Sequence, residues 1–193
     1  MKEAFELIAG HAALDLVNTL DWRFRQQGPE ELLKSYDDLL RFTRESGMLK
    51  PAQIRQHRPA AGARVIERCR ELREAMAEIL YARLDGRNPS AASLRTLERS
   101  IQAARFQQQL GWKEGRLEWH WRENGAELPL WALALSTSDL MMSENVQSVR
   151  ACDNRECRWL FLDTSKNHTR RWCDMKICGN RMKARRFKAQ RKA

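Results

Sequence analysis

Apolar positions in the first three quarters of the chain recur at three- and four-residue steps, the period of helices with one buried face. The longest such stretch is 61–84, where Val65, Ile66, Cys69, Leu72, Met76, Ile79 and Leu80 mark the central helix of a first domain. A short helix is predicted over 10–20, with Leu14, Val17 and Leu20 on one face, and a second over 30–46 through Leu32, Leu33, Tyr36, Leu39, Leu40 and Thr43. The acidic start of the second helix suits the positive end of its dipole, and Gly47 is a natural stop. Pro51 to His57 reads as a short helix. Pro89-Ser90 leads into a helix through Leu94, Leu97, Ile101 and Ala104 to about Leu110, and Pro129 opens one more, PLWALALSTSDLM.

Two segments switch to the alternation of strands. RLEWHWR over 116–122 needs a pairing partner, for which Phe106 to Trp112 is the candidate. RWLFLDT over 158–164 is predicted to pair with TRRWC over 169–173 across a SKNH turn. The expected fold class is α+β: a mainly helical N-terminal domain, 1–145, and a small treble-clef-like module, 146–193, made of a β-hairpin and a C-terminal helix.

Charge sharpens this division. The net charge is +10, yet residues 1–149 hold 21 basic and 21 acidic residues, and residues 150–193 hold 14 basic and 4 acidic. An excess confined to one short segment predicts a polyanionic partner, nucleic acid being the commonest. The most apolar run, Leu128 to Leu135, is too short to cross a bilayer, and MKEAFELIAG lacks the apolar core of a secretion signal. The cytoplasm is therefore expected, where thiols stay reduced and cysteines serve metals more often than bridges.

The basic segment also holds four of the five cysteines, as Cys152-x4-Cys157, fifteen residues, then Cys173-x4-Cys178. Two close pairs at this separation fit a structural Zn2+ site. Zinc takes four tetrahedral ligands, and four thiolates leave no position for a reactive water. An iron–sulfur cluster and unmetallated core cysteines are the alternatives. His168 reads as a solvated turn residue and Cys69 as plain core. A segment of this length cannot bury enough apolar area alone, so the metal should complete its fold.

After Cys178 the chain reads GNRMKARRFKAQRKA, with seven basic residues and no acidic one from Arg181 to Lys192. A helix anchored by a zinc ligand and basic on its outer face suits double-stranded DNA, in the major groove or on its phosphates. Arg170 and Arg171 on the expected second strand widen that surface. The competing readings are a contact module for an acidic protein and a merely solvated tail.

The segment CDNRECRWLFLDTSKNHTRRWCDMKICGNRMKARRF resembles the CGNR zinc-finger family, through both x4 pairs, FLDTSKN, RRWC and Cys178-Gly179-Asn180-Arg181. His11-Ala-Ala-Leu-Asp-Leu-Val-Asn-Thr19 and Glu31-Leu-Leu with Tyr36-Asp-Asp-Leu-Leu40 resemble the ABATE domain that precedes it in bacterial transcription regulators. The resemblance implies that Cys152, Cys157, Cys173 and Cys178 bind zinc and that the zinc module binds DNA. Relatives carry a glycine or small residue near His168. Within the motif, Gly179 is expected to let the backbone pass close to a metal-bound sulfur. Asn180 is expected to cap the helix or donate toward a thiolate, and Arg181 to be held by Asp163. Phosphate contacts fall to Lys183, Arg185, Arg186 and Lys188.

In the first domain, His11, Asp15, Asn18 and Asp21 follow at steps of four, three and three, with Arg23 close by. His11, Asp15, Asn18 and Arg23 are candidates for a small-effector pocket. Nothing nearby supplies a nucleophile, a phosphate loop or a metallohydrolase pattern, so no enzyme is expected. Trp112, Trp119, Trp121 and Trp131 read as core or as a homodimer contact, with an aromatic-lined pocket as the alternative. The reading is a two-part regulator; the alternative is a protein-interaction adaptor whose basic helix meets an acidic partner.

Overall fold

The structure, a computed structural model, describes residues 4–55, 62–123 and 125–191. The side chains of Ile54, Arg55, Arg186 and Ala189 fall outside that description. The chain divides into two compact units, and the division is not a single cut: residues 1–5 and 33–142 form one, residues 6–32 and 143–193 the other. The second crossing falls between Met142 and Ser143. The first crossing assigns 6–32 to the unit that holds the four cysteines.

The first unit is built on α4 (Gly62–Leu84), which packs against α2 (Tyr36–Glu45), α5 (Ala91–Phe106) and α6 (Leu128–Met142). Its core is the face read from the periodicity: Val65, Cys69, Leu72, Met76 and Leu80 are buried, with Leu39, Phe42, Leu130 and Leu133 against them. Burial pushes the Cys69 thiol up to about 12, which keeps it inert. Helix α2 begins later than the pattern suggested. Ser35 accepts from the Asp38 amide while Asp38 accepts from the Ser35 amide, a capping box that starts the helix at Tyr36. A short α3 (Pro51–Arg55) follows; the rest of the expected turn to His57 lies outside the described residues.

Helix α5 stops at Phe106, and the next residues become β3 (Gln108–Lys113), paired antiparallel with β4 (Arg116–Trp121). The helix predicted to reach Leu110 is therefore shorter, and the partner strand starts two residues later than the candidate segment and ends one residue later. Glu114 and Gly115 both have positive φ, 51° and 83°, the geometry of a tight two-residue turn that suits the twist of the strands.

The second unit joins both parts of the chain. Helix α1 (Ala12–Asn18) lies beside β6 (Leu160–Leu162), which pairs antiparallel with β5 (Val149–Ala151). A two-residue ladder, β1 (Leu20–Asp21) with β2 (Glu30–Glu31), closes the N-terminal loop. The hairpin expected between 158–164 and 169–173 does not form: β6 takes its partner upstream, at Val149 to Ala151, while in 169–173 the Arg171 carbonyl accepts from the Asp153 amide and the Thr169 and Arg170 amides donate to Ser165 and Asp163. A π-helical turn, Met175–Gly179, leads into α7 (Asn180–Gln190). No helix among the described residues is long and apolar enough to cross a membrane.

Candidate metal centre and nucleic-acid interface

Each pair of cysteines sits on a turn built by its own spacer. In the first, the Cys157 and Arg158 amides donate to the Asn154 carbonyl at 3.0 and 2.9 Å, so the chain folds back on itself between the two sulfurs. Arg158 takes φ 55° to complete the turn. In the second, Asp174 does both jobs. Its carboxylate accepts from Lys176 and Ile177 at 2.5 and 3.1 Å, and its carbonyl accepts from Cys178 and Gly179 at 3.0 and 3.1 Å.

The two turns bring the sulfurs of Cys152, Cys157, Cys173 and Cys178 within 4.8 Å of one another, all buried. Cys157 and Cys173 are 3.7 Å apart. Four thiolates at about 2.3 Å from one tetrahedral zinc would lie about 3.8 Å from each other. The donor set therefore fits zinc in both chemistry and size, and Zn2+ is the cofactor. So close a group cannot carry four negative charges without a cation. Hydrogen bonding to Cys157 first, then to Cys173 and Cys178, drives the Cys152 thiol far down, and the same contact with Cys152 drives Cys157 far up. A divalent ion removes that conflict by holding all four deprotonated.

Asn154 is the supporting residue that sequence reasoning missed. It is almost fully buried, its Nδ2 donates to Cys178 Sγ at 3.5 Å, and its Oδ1 accepts from the Glu156 amide at 3.3 Å. The amide-to-thiolate contact expected of Asn180 thus belongs to Asn154, whereas Asn180 is exposed at the start of α7. An asparagine two residues after the first ligand of a cysteine turn was the available signal.

Other residues of the motif are present in the expected place with different partners. Asp163 accepts from the Ser165 hydroxyl and amide and from the Arg170 amide, at 2.5, 3.1 and 3.0 Å. The Ser165 hydroxyl, before any other contact, holds its carboxyl below the usual carboxylate range. Arg181 is not its partner. The Arg181 guanidinium lies over the Trp22 ring, 4.5 Å from the centroid, a cation–π contact between the two ends of the chain. A Cβ on Gly179 would meet the Met175 sulfur at 2.5 Å and Trp172 at 3.2 Å. The close neighbours are those side chains and not a ligand sulfur, and a side chain here would displace the flexible, exposed end of Met175. His168 adopts φ 49°, which explains why a glycine would suit the position, and its Nδ1 lies 3.0 Å from the Asp163 carbonyl oxygen.

The expected nucleic-acid residues separate into three groups. Arg170 faces inward: its guanidinium covers Phe161 at 4.2 Å and donates to the carbonyls of Trp172 and Cys173. Two of its nitrogens thus hold the backbone at and before the third ligand. Arg171 and Arg185 are exposed but paired, with Asp153 at 2.6 Å and Glu156 at 3.1 Å. Lys183 and Lys188 are exposed on α7, and the side chain of Arg186 lies outside the described residues.

Of the residues offered to an effector, Asn18 reaches the cysteine segment, and His11, Asp15 and Arg23 bond to backbone close by in sequence. His11 caps α1, its Nδ1 accepting from the Ala13 amide at 3.2 Å. Asp15 accepts from the Ala9 amide at 3.0 Å, and Arg23 donates to the Val17 carbonyl at 3.3 Å. Asn18 donates to the Leu160 carbonyl and accepts from the Leu160 amide, both at 2.9 Å, as one residue of a third strand would. Beside it the Trp159 indole, buried, donates to Asp21 at 2.8 Å. Ala9 accepts from Leu162 at 2.8 Å, and Glu156 from Phe24 at 3.3 Å.

Burial raises the Asp15 carboxyl to about 6, against the smaller effect of backbone donors at Ala9 and Ile8. A carboxyl whose folded pKa lies above its unfolded value favours folding while protonated. That contribution is full below about pH 4 and is lost as pH rises through about 6. Asp15→Asn should therefore gain stability over wild type on going from pH 4.5 to pH 7. The comparison of urea midpoints across that range checks it; parallel curves would contradict the assignment.

The comparisons with known proteins divide the chain between 144 and 148, with 10–32 on the side of the first match although it packs in the cysteine unit. A family model described as "putative stress-induced transcription regulator", ABATE, matches residues 10–144. The CGNR zinc-finger model matches residues 148–191. No curated protein matches the chain. Both matched families are regulator and zinc-finger types, not enzymes. The ABATE match spans more than half of the chain and ends where the cysteine module starts, so this protein belongs to the ABATE family and carries a CGNR zinc finger behind it.

Proposed function

We propose that the protein is a transcription regulator whose zinc unit delivers α7 to double-stranded DNA. The observation that carries this reading is the start of α7 at Asn180, two residues after a zinc ligand, with Lys183 and Lys188 exposed along it. The metal fixes where the helix begins, and the seven bases of 181–192 face no acid in the same segment. Arg171 and Arg185 add to this surface in spite of their partners. Exposed ion pairs are worth about 0–1 kcal/mol, so a phosphate can replace Asp153 or Glu156 at little cost. Reduced thiols suit a bacterial cytoplasm.

The regulator reading requires no effector at His11, Asp15, Asn18 and Arg23, because polar atoms of all four are engaged with backbone. Selection from a random duplex pool tests the reading. Enrichment of a common sequence supports a regulator that reads base edges, not phosphate alone. If the protein retains no duplex even at low salt but binds an acidic polypeptide, the adaptor alternative replaces it.

A further inference from the structure

The β3–β4 ribbon of the first unit has one apolar face that stays largely exposed among the described residues. Antiparallel pairing sets Leu110 opposite Trp119 and Trp112 opposite Leu117, so all four side chains project from the same side. Their exposures are 56, 58, 72 and 64%, respectively. The base of the ribbon is packed, where Trp121 stacks on Trp131 of α6 with centroids 6.0 Å apart. The opposite side carries Gln109, Gly111, Lys113, Arg116, Glu118 and His120. A two-stranded ribbon is marginal in water unless its apolar face is covered.

We propose that this face is covered by the same face of a second copy of the chain. Charge selects that occupant over a nucleic acid. Residues 107–123 carry three bases, Lys113, Arg116 and Arg122, and three acids, Glu114, Glu118 and Glu123. Lys113, Arg116 and Glu118 lie on the other side of the ribbon, so the apolar face offers a polyanion no cation of theirs and can meet its own image without repulsion from them, as a two-fold interface requires. The area also fits. The two tryptophans expose on the order of 300 Å² per copy. With both leucines, a symmetric pair would hide about 1,000 Å² in total, the threshold of a specific interface. Aromatic residues with aliphatic neighbours are also the composition of interface centres.

Sedimentation velocity on the full-length, zinc-loaded protein between about 1 and 100 µM tests this. Wild type should form a concentration-dependent dimer. Trp112→Glu and Leu117→Glu should each weaken it at least 100-fold. Lys113→Gln, on the other side of the ribbon, should leave it intact. The mutated side chains are largely exposed, so the variants should keep the wild-type circular dichroism and zinc content. A wild type that stays monomeric to 100 µM overturns the proposal, as does a dimer unaffected by Trp112→Glu and Leu117→Glu. A monomer that gains mass only with a different protein also overturns it. None of these outcomes depends on DNA binding.

Discussion

Stripping the zinc will unfold residues 6–32 together with 143–191, while α4, α5 and α6 keep their protection from hydrogen exchange. The four sulfurs hold two turns and the start of α7, and little else in that segment could. Its strands are three residues long, and its core beyond the cysteines is chiefly Trp159, Leu160, Phe161 and Leu162 with Val149. Structural zinc contributes roughly 10–16 kcal/mol of apparent binding energy, more than so small a core supplies. The N-terminal segment should follow, because its polar groups end on this module: Asn18 on Leu160, Asp21 on Trp159, Phe24 on Glu156 and Trp22 under Arg181. The first unit has its own buried face on α4 and no part in the metal centre. Exchange followed by mass spectrometry, with and without chelator, separates the regions. Retained protection of 6–32 after complete removal of zinc would contradict the account.

Asn18→Ala should destabilise the zinc unit by about 3 kcal/mol, a large effect for a residue outside the metal centre. Asn18 is nearly fully buried and satisfies both the amide and the carbonyl of Leu160, at 2.9 Å each. Alanine leaves two backbone groups buried without partners, each costing about 1–3 kcal/mol. Because zinc is held by the folded unit, the loss appears as easier metal release. A 3 kcal/mol deficit corresponds to roughly a 100-fold weaker apparent affinity in competition with a chelator. Unchanged zinc release in the variant would show that the Asn18–Leu160 pairing is not a support of the site.

The parts of this molecule that were legible in its sequence are those encoded locally. Cysteine spacing specified the metal centre, and the three- and four-residue steps of Val65 to Leu80 specified the central helix. Charge placement found the basic segment. What escaped is long-range. Pairing of β6 with β5 and not with 169–173 depends on which edge Asn18 occupies, 142 residues away. Nothing in the pattern of 158–164 states that preference. The same cause misdirected the N-terminal polar face. His11, Asp15 and Asn18 follow at helical spacing, but His11 and Asp15 bond to backbone close by, at Ala13 and Ala9, and Asn18 alone of the three reaches the chain's other end, at Leu160. Arg170 and Arg181 show the limit of counting charge, since one covers Phe161 and the other Trp22.

The central claim is that the metal centre presents α7 to duplex DNA, and salt-dependent binding tests it most directly. Fluorescence anisotropy with a labelled duplex, from low to moderate salt, should give an affinity that falls linearly with log salt concentration for zinc-loaded protein. Lys183→Gln with Lys188→Gln should weaken binding and flatten that slope by about 1.8, the loss of two phosphate contacts. Absence of wild-type binding at low salt, or an identical slope in the double variant, would contradict it.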